Sequence, residues 1–143
     1  MKATLITLAI AAVTLLTLPS RGRAAESNTP SVGGETKHGP QLIEPSEAQK
    51  LIQAKKVVVL DVRTPSEYAA GHIAGATNVD FRGKDFQAKV AQLDKNQAYL
   101  VHCAVGARSA RACAAMDQLD FKTIYDLKGG ISAWQKAGLP VEK

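Results

Sequence analysis

Cys103, Gly106 and Arg108 stand within LVHCAVGARSARA, residues 100–112, and their types and spacing describe a nucleophile in an anion cradle. The apolar pair Leu100 and Val101 leads into Cys103 as the end of a strand would, and Ala112 lies on the apolar face of a helix that follows. A loop at such a junction turns several backbone N–H groups inward, and the helix adds its positive end. A thiol held there loses its proton more readily, so the thiolate dominates near neutral pH. Gly106 supplies the positive φ that lets the loop curl. Arg108 keeps its charge at any pH and holds either the pocket rim or an anionic ligand. Ala104, Val105 and Ala107 are small and apolar, which leaves Arg108 as the only charge in the loop; Ser109 follows as a supporting hydroxyl. The chemistry this implies is covalent catalysis by cysteine.

The surrounding elements must place that loop. Pro45 starts a short helix with Ala48, Leu51 and Ile52 on one face. Val57 to Leu60 is a continuous apolar run of the kind buried on both faces of a parallel sheet. A helix over Ser66 to Ala70 stops at Gly71, and Ala76 to Phe81 returns to the sheet. Phe86 to Leu93 is a helix by pattern and Ala98 to Val101 a strand. Ala112, Ala115, Met116 and Leu119 repeat at helical spacing. Thr123 to Leu127 makes the last strand and Ile131 to Ala137 the last helix, ended by Gly138 and Pro140. Strand and helix in alternation predict an α/β fold with a mainly parallel sheet. Ligands of such sheets bind beyond the carboxyl ends of the strands, where Cys103 falls.

The remaining reactive side chains read as architecture. Cys113 lies inside a helix and packs. A Cys103–Cys113 bridge is not expected, because the helical rise holds the pair about 7 Å or more apart. His102 points to the opposite strand face from its neighbour Cys103, so it shapes the local field and is neither a base nor a metal ligand. His72, in the GHIAGA turn, is structural, and His38 has no assigned role. Trp134 with Gly129 and Gly130 is a packing signature. Arg111 either lies on a solvated helix face or helps to draw in anionic donors.

The termini bound the rest. Leu5 to Leu18 form an apolar run of 14 residues behind Lys2, short of the ~20 that a membrane-crossing helix needs. Pro19 breaks it, and Gly22-Arg23-Ala24 offers small residues for cleavage after Ala24. Residues 1–24 are therefore expected to be a signal peptide and the protein to be exported, to the periplasm in a Gram-negative cell, with no stable membrane anchor. Cleavage would leave 119 residues with 15 basic and 13 acidic side chains. The basic pI of about 9.3 belongs in part to the leader, and no basic stripe argues for nucleic acid. Residues 25–40, rich in Gly, Ser and Pro with Val32 as the only large apolar side chain, read as a flexible tether. The folded domain is expected over 41–143.

Three blocks carry a family resemblance: VLDVRTPSEYAAGHIAGATNVDF (Val59 to Phe81), VHCAVGARSARA (Val101 to Ala112) and LKGGISAWQKAGLPV (Leu127 to Val141). Together, and in this order, the chain resembles a single-domain rhodanese, the sulfurtransferase family whose cysteine carries a persulfide. The resemblance implies a three-layer domain, with a mainly parallel five-stranded sheet and helices on both faces. It implies transfer of a sulfane sulfur from a donor such as thiosulfate, through a Cys103 persulfide, to a thiol or cyanide acceptor. No cofactor or metal is implied, and a partner protein is an alternative donor or acceptor. Asp61 is expected to bond nearby backbone and Arg63 to pair with Glu67. Asp120 stands where many relatives have glycine. The loop from Cys103 to Arg108 is the short form of six residues. The related phosphatase and arsenate reductase branch has one residue more and room for a tetrahedral oxyanion. The short loop favours sulfur, with a persulfide carrier of little turnover as the alternative and a phosphatase or arsenate reductase behind it.

Overall fold

The computed structural model describes residues 39–143. The expected signal peptide lies outside the described residues, as does all of the expected tether but Gly39 and Pro40. The elements run β1 (Gln41–Ile43), α1 (Pro45–Gln53), β2 (Val58–Asp61), α2 (Pro65–Ala70) and β3 (Thr77–Asn78). Then follow α3 (Phe86–Ala91), β4 (Ala98–His102), α4 (Ala107–Gln118), β5 (Thr123–Leu127) and α5 (Gly130–Lys136).

All strand pairs are parallel, in the order β1-β5-β4-β2-β3. β4 is thus the central strand, with β5 and β1 to one side and β2 and β3 to the other. The chain leaves β2 toward one edge and β4 toward the other, and the crevice beyond the carboxyl ends of these neighbouring strands is where such folds bind ligands.

Successive strand residues point to opposite faces, and the two buried clusters follow that rule. Leu60, Tyr99, Val101 and Ile124 meet Phe86 and Val90 of α3 and Ala112 and Met116 of α4. Val59, Leu100 and Leu127 face the other way, onto Ala48 of α1 and Ile131 and Trp134 of α5. The sheet is therefore covered on both faces, which is why its strands are apolar without alternation.

Two expectations differ from the observed elements. The run Ala76 to Phe81 makes only the two-residue strand Thr77–Asn78. Ala76, Val79 and Phe81 are held in the core from irregular backbone, through Val79 N–H to Asp61 O at 2.9 Å and Phe81 N–H to Val62 O at 3.2 Å. Edge strand β1 was not legible as an element of its own. Only Ile43 of its three residues is buried, and its partner β5 lies at the far end of the sequence.

Candidate active site

The loop that follows β4 begins at Cys103, which is 1% exposed. Gly106 takes φ 108°, and its N–H donates to Cys103 Sγ at 3.1 Å. α4 starts at Ala107, so its first turn is also aimed at the sulfur. Burial alone would push the thiol up. Hydrogen bonds from the Ser109, Gly106 and Val105 N–H groups outweigh it, and the Cys103 pKa falls below the usual thiol value. Ser109, wholly buried, also donates its hydroxyl to Gly106 O at 3.0 Å and so pins the turn.

A second support comes from α5. Ile131 N–H donates to Cys103 O at 2.9 Å and Ser132 N–H to Ala104 O at 3.1 Å. The loop carbonyls are thereby turned onto one helix end and away from the sulfur, while the loop N–H groups face it. The approach is close enough to require glycine. A Cβ on Gly130 would lie 2.5 Å from Cys103 O and 2.7 Å from Ala104 O, at a φ of 59°. The Gly129-Gly130 pair, read from sequence as packing, positions the loop.

Arg108 stands at the rim. Its guanidinium nitrogens donate to both oxygens of Glu67 at 2.8 and 2.7 Å. The Arg108 hydrogen bond holds the Glu67 pKa at about 2, against the opposing effect of burial. Glu67 also closes the start of α2. It accepts from Thr64 N–H at 3.0 Å and from the Thr64 hydroxyl at 2.9 Å, while its own N–H donates to Thr64 Oγ1 at 3.3 Å.

The expected Arg63–Glu67 pair is therefore corrected. Arg63 instead forks onto Asp61, with Nε at 3.0 Å from each oxygen and Nη2 at 2.6 Å from Oδ2. Four-residue spacing joins side chains only when both lie on the helix. Arg63 lies at a bend before Thr64, the extended residue that caps α2. The Asp61 expectation agrees with the geometry, since the Arg63 N–H donates to Oδ1 at 2.9 Å. Arg63 Nη2 also donates to Gly71 O at 2.7 Å, so this buried pair ties β2 to the end of α2.

The two described histidines, His72 and His102, sit as structural groups, and His38 lies outside the described residues. His102 is wholly buried, with Nδ1 3.4 Å from Cys103 O and Nε2 3.7 Å from Asp61 Oδ2. Burial lowers its pKa and keeps it neutral at pH 7, against the pull of Asp61. His72 stacks on Tyr68 at 3.8 Å between ring centroids and hydrogen-bonds Tyr68 O at 3.1 Å. Cys113 is buried and free, as Cys103 is, and burial pushes its pKa well up. Asp120 takes φ 65°, the left-handed conformation expected where glycine is common. Arg111 is exposed on α4. Among the described residues no group of three or more His, Cys, Asp or Glu could hold a metal ion.

Sequence reading passed over Glu67 as the partner of Arg108, the clamping role of Gly130, and Asp126. Asp126 sits near the end of β5, 7% exposed, with Oδ1 unpartnered. Burial raises its pKa. Nothing in a strand sequence marks an acid that will face a helix, whereas two glycines before a helix start do signal close approach.

The arrangement is a cysteine whose ionised form is favoured by backbone donors, at the carboxyl end of a central parallel strand. Comparisons with known proteins agree with this architecture. The model of the rhodanese-like domain matches residues 44–137. A sulfurtransferase of Allochromatium vinosum is 33% identical over 94 residues, covering 66% of this chain and 86% of that protein. Thiosulfate sulfurtransferase GlpE of Pseudomonas entomophila is 37% identical over 94 residues, covering 65% and 83%. The crystal structure of a rhodanese-related protein from Thermoplasma volcanium superposes with a TM-score of 0.65 at 34% identity, covering 71% of this chain and 97% of that one. The chain belongs to the rhodanese-like domain family.

Proposed function

We propose that this protein is a sulfurtransferase that carries a sulfane sulfur on Cys103. The observation that supports the reading best is the Gly106 N–H on Cys103 Sγ at 3.1 Å, within a loop whose carbonyls are tied back to α5. Such a cradle stabilises a negative sulfur in the way an oxyanion hole stabilises oxygen. In the first step the Cys103 thiolate attacks the outer sulfur of the donor. With thiosulfate, the donor's S–S bond breaks, sulfite leaves with the electron pair, and Cys103 persulfide remains. In the second step an acceptor thiolate or cyanide attacks the outer sulfur of that persulfide, and the Cys103 thiolate leaves. The loop N–H groups hold the negative outer sulfur between the steps. No proton transfer is required when both nucleophiles are already anions, which fits a site whose nearest histidine, His102, is buried and neutral.

Thiocyanate formation tests the reading. Steady turnover with thiosulfate and cyanide, lost in Cys103→Ser, is the expected result. Sulfur loading without turnover would make the protein a carrier. Hydrolysis of an aryl phosphate that depends on Cys103, without sulfur loading, would replace the reading with a phosphatase. The leader at residues 1–24 belongs to the same proposal: the protein acts after export. Protein recovered from the periplasm should start at Ala25, and intracellular full-length chain alone would contradict it.

A further inference from the structure

The rim arginine is already occupied. Both terminal nitrogens of Arg108 donate to Glu67, at 2.8 and 2.7 Å, in a two-pronged pair that leaves the arginine side chain 17% exposed. The hydrogen bond to Glu67 raises the Arg108 pKa, opposed by burial and aided by the nearby charge of Cys103. Glu67 cannot swing away freely, because Thr64 grips it with a backbone N–H and a hydroxyl. The remaining loop side chains, Ala104, Val105 and Ala107, carry no polar group, and Val105 is 67% exposed. The buried arginine near this end of the sheet, Arg63, is spent on Asp61.

A donor such as thiosulfate brings two negative charges, and its leaving group, sulfite, keeps both. Its sulfonate meets a loop, residues 103–108, whose one cation is paired with a held carboxylate, which leaves the loop N–H groups to favour it. An organic persulfide brings no sulfonate and needs no free cation. We propose that Glu67, by masking Arg108, sets the donor class of this site to organic persulfides in preference to thiosulfate. The inference rests on the Cys103 sulfur-transfer reading. The step is balanced: the Cys103 thiolate attacks the outer sulfur of R–S–SH, and the bond between the two donor sulfurs breaks. R–S⁻ leaves with the electron pair, and the proton stays on the new Cys103 persulfide. Val105, apolar and exposed at the rim, suits an apolar R group.

The test is the second-order rate of sulfur uptake by Cys103, followed by intact mass, from thiosulfate and from butyl persulfide. The parent should load faster from butyl persulfide. In Glu67→Gln the amide still closes the start of α2, since glutamine serves that cap as well as glutamate, but the charge that masks Arg108 is gone. The thiosulfate-to-persulfide rate ratio should then rise about tenfold, the scale expected when a desolvated cation is freed for an anionic ligand. In the double variant Glu67→Gln/Arg108→Gln that rise should vanish. A parent that prefers thiosulfate, a ratio unchanged or lowered in Glu67→Gln, or a rise that survives without Arg108 would each overturn the inference while leaving Cys103 sulfur transfer intact. Loading from neither donor would overturn both.

Discussion

Whether Cys103 is a reactive thiolate or an inert core thiol depends on a few hydrogen atoms. Both thiols are 1% exposed, yet they move in opposite directions: donors gathered around Cys103 outweigh its burial, whereas burial and the nearby Asp126 charge prevail at Cys113. The Ser109 hydroxyl pins the turn that presents these donors, through Gly106 O at 3.0 Å, so Ser109→Ala should move the pH midpoint of Cys103 alkylation upward. A midpoint that stays or falls would show that the backbone donors suffice. Glu67 makes a second prediction at this scale. Its folded pKa, about 2, lies below the ordinary 4.5, so its pairing stabilises the fold above about pH 4.5. That contribution is lost as pH falls through about 2. The melting-temperature gap between the parent and Glu67→Gln should therefore narrow between those pH values, and a constant gap would deny the linkage. The loop residues were legible in the sequence because their chemistry depends on local spacing. The partner of Arg108 was not, since Glu67 lies 41 positions away and its placement needs the sheet.

At the scale of elements, the N-terminus of α5 fixes the loop through two hydrogen bonds to carbonyls of residues 103 and 104. Gly130→Ala would force a methyl group to within 2.5–2.7 Å of those backbone atoms, in a left-handed conformation. The conformation alone costs about 1–2 kcal/mol, and the collision about 1–3 more. The variant should melt lower and load sulfur more slowly per folded molecule; wild-type loading and stability would show that α5 is not the clamp. Strand β5 and helices α2, α3 and α5 were legible to within a residue or two, whereas the apolar repeat from Ala112 marked only the later turns of α4. Strand β1 was hidden, as its evidence is pairing with a distant strand. The apolar pattern of Ala76 to Phe81 overstated β3, since side chains reach a core equally well from a turn that is not hydrogen-bonded as a ladder.

For the molecule as a whole, two buried clusters on opposite sheet faces must both be intact for the carboxyl end of β4 to stay in register. Trp134 closes one of them, 2% exposed, with its indole N–H on Pro140 O at 2.9 Å. Trp134→Ala should cost about 3–5 kcal/mol, the range for emptying an aromatic site in a core, read as a shift in urea midpoint. A change below 1 kcal/mol would mean that the α5 side is not a cooperative part of the fold. This layer was readable from the alternation of strands and helices, whereas the order of the strands required the structure. The proposed function turns on one atom, Cys103 Sγ. Intact mass after incubation with a sulfane-sulfur donor, without reductant, reads it directly in the parent and in Cys103→Ser. One added sulfur in the parent and none in the variant is the predicted result. An unchanged parent mass with both thiosulfate and a small persulfide, or equal gain in the variant, would contradict it.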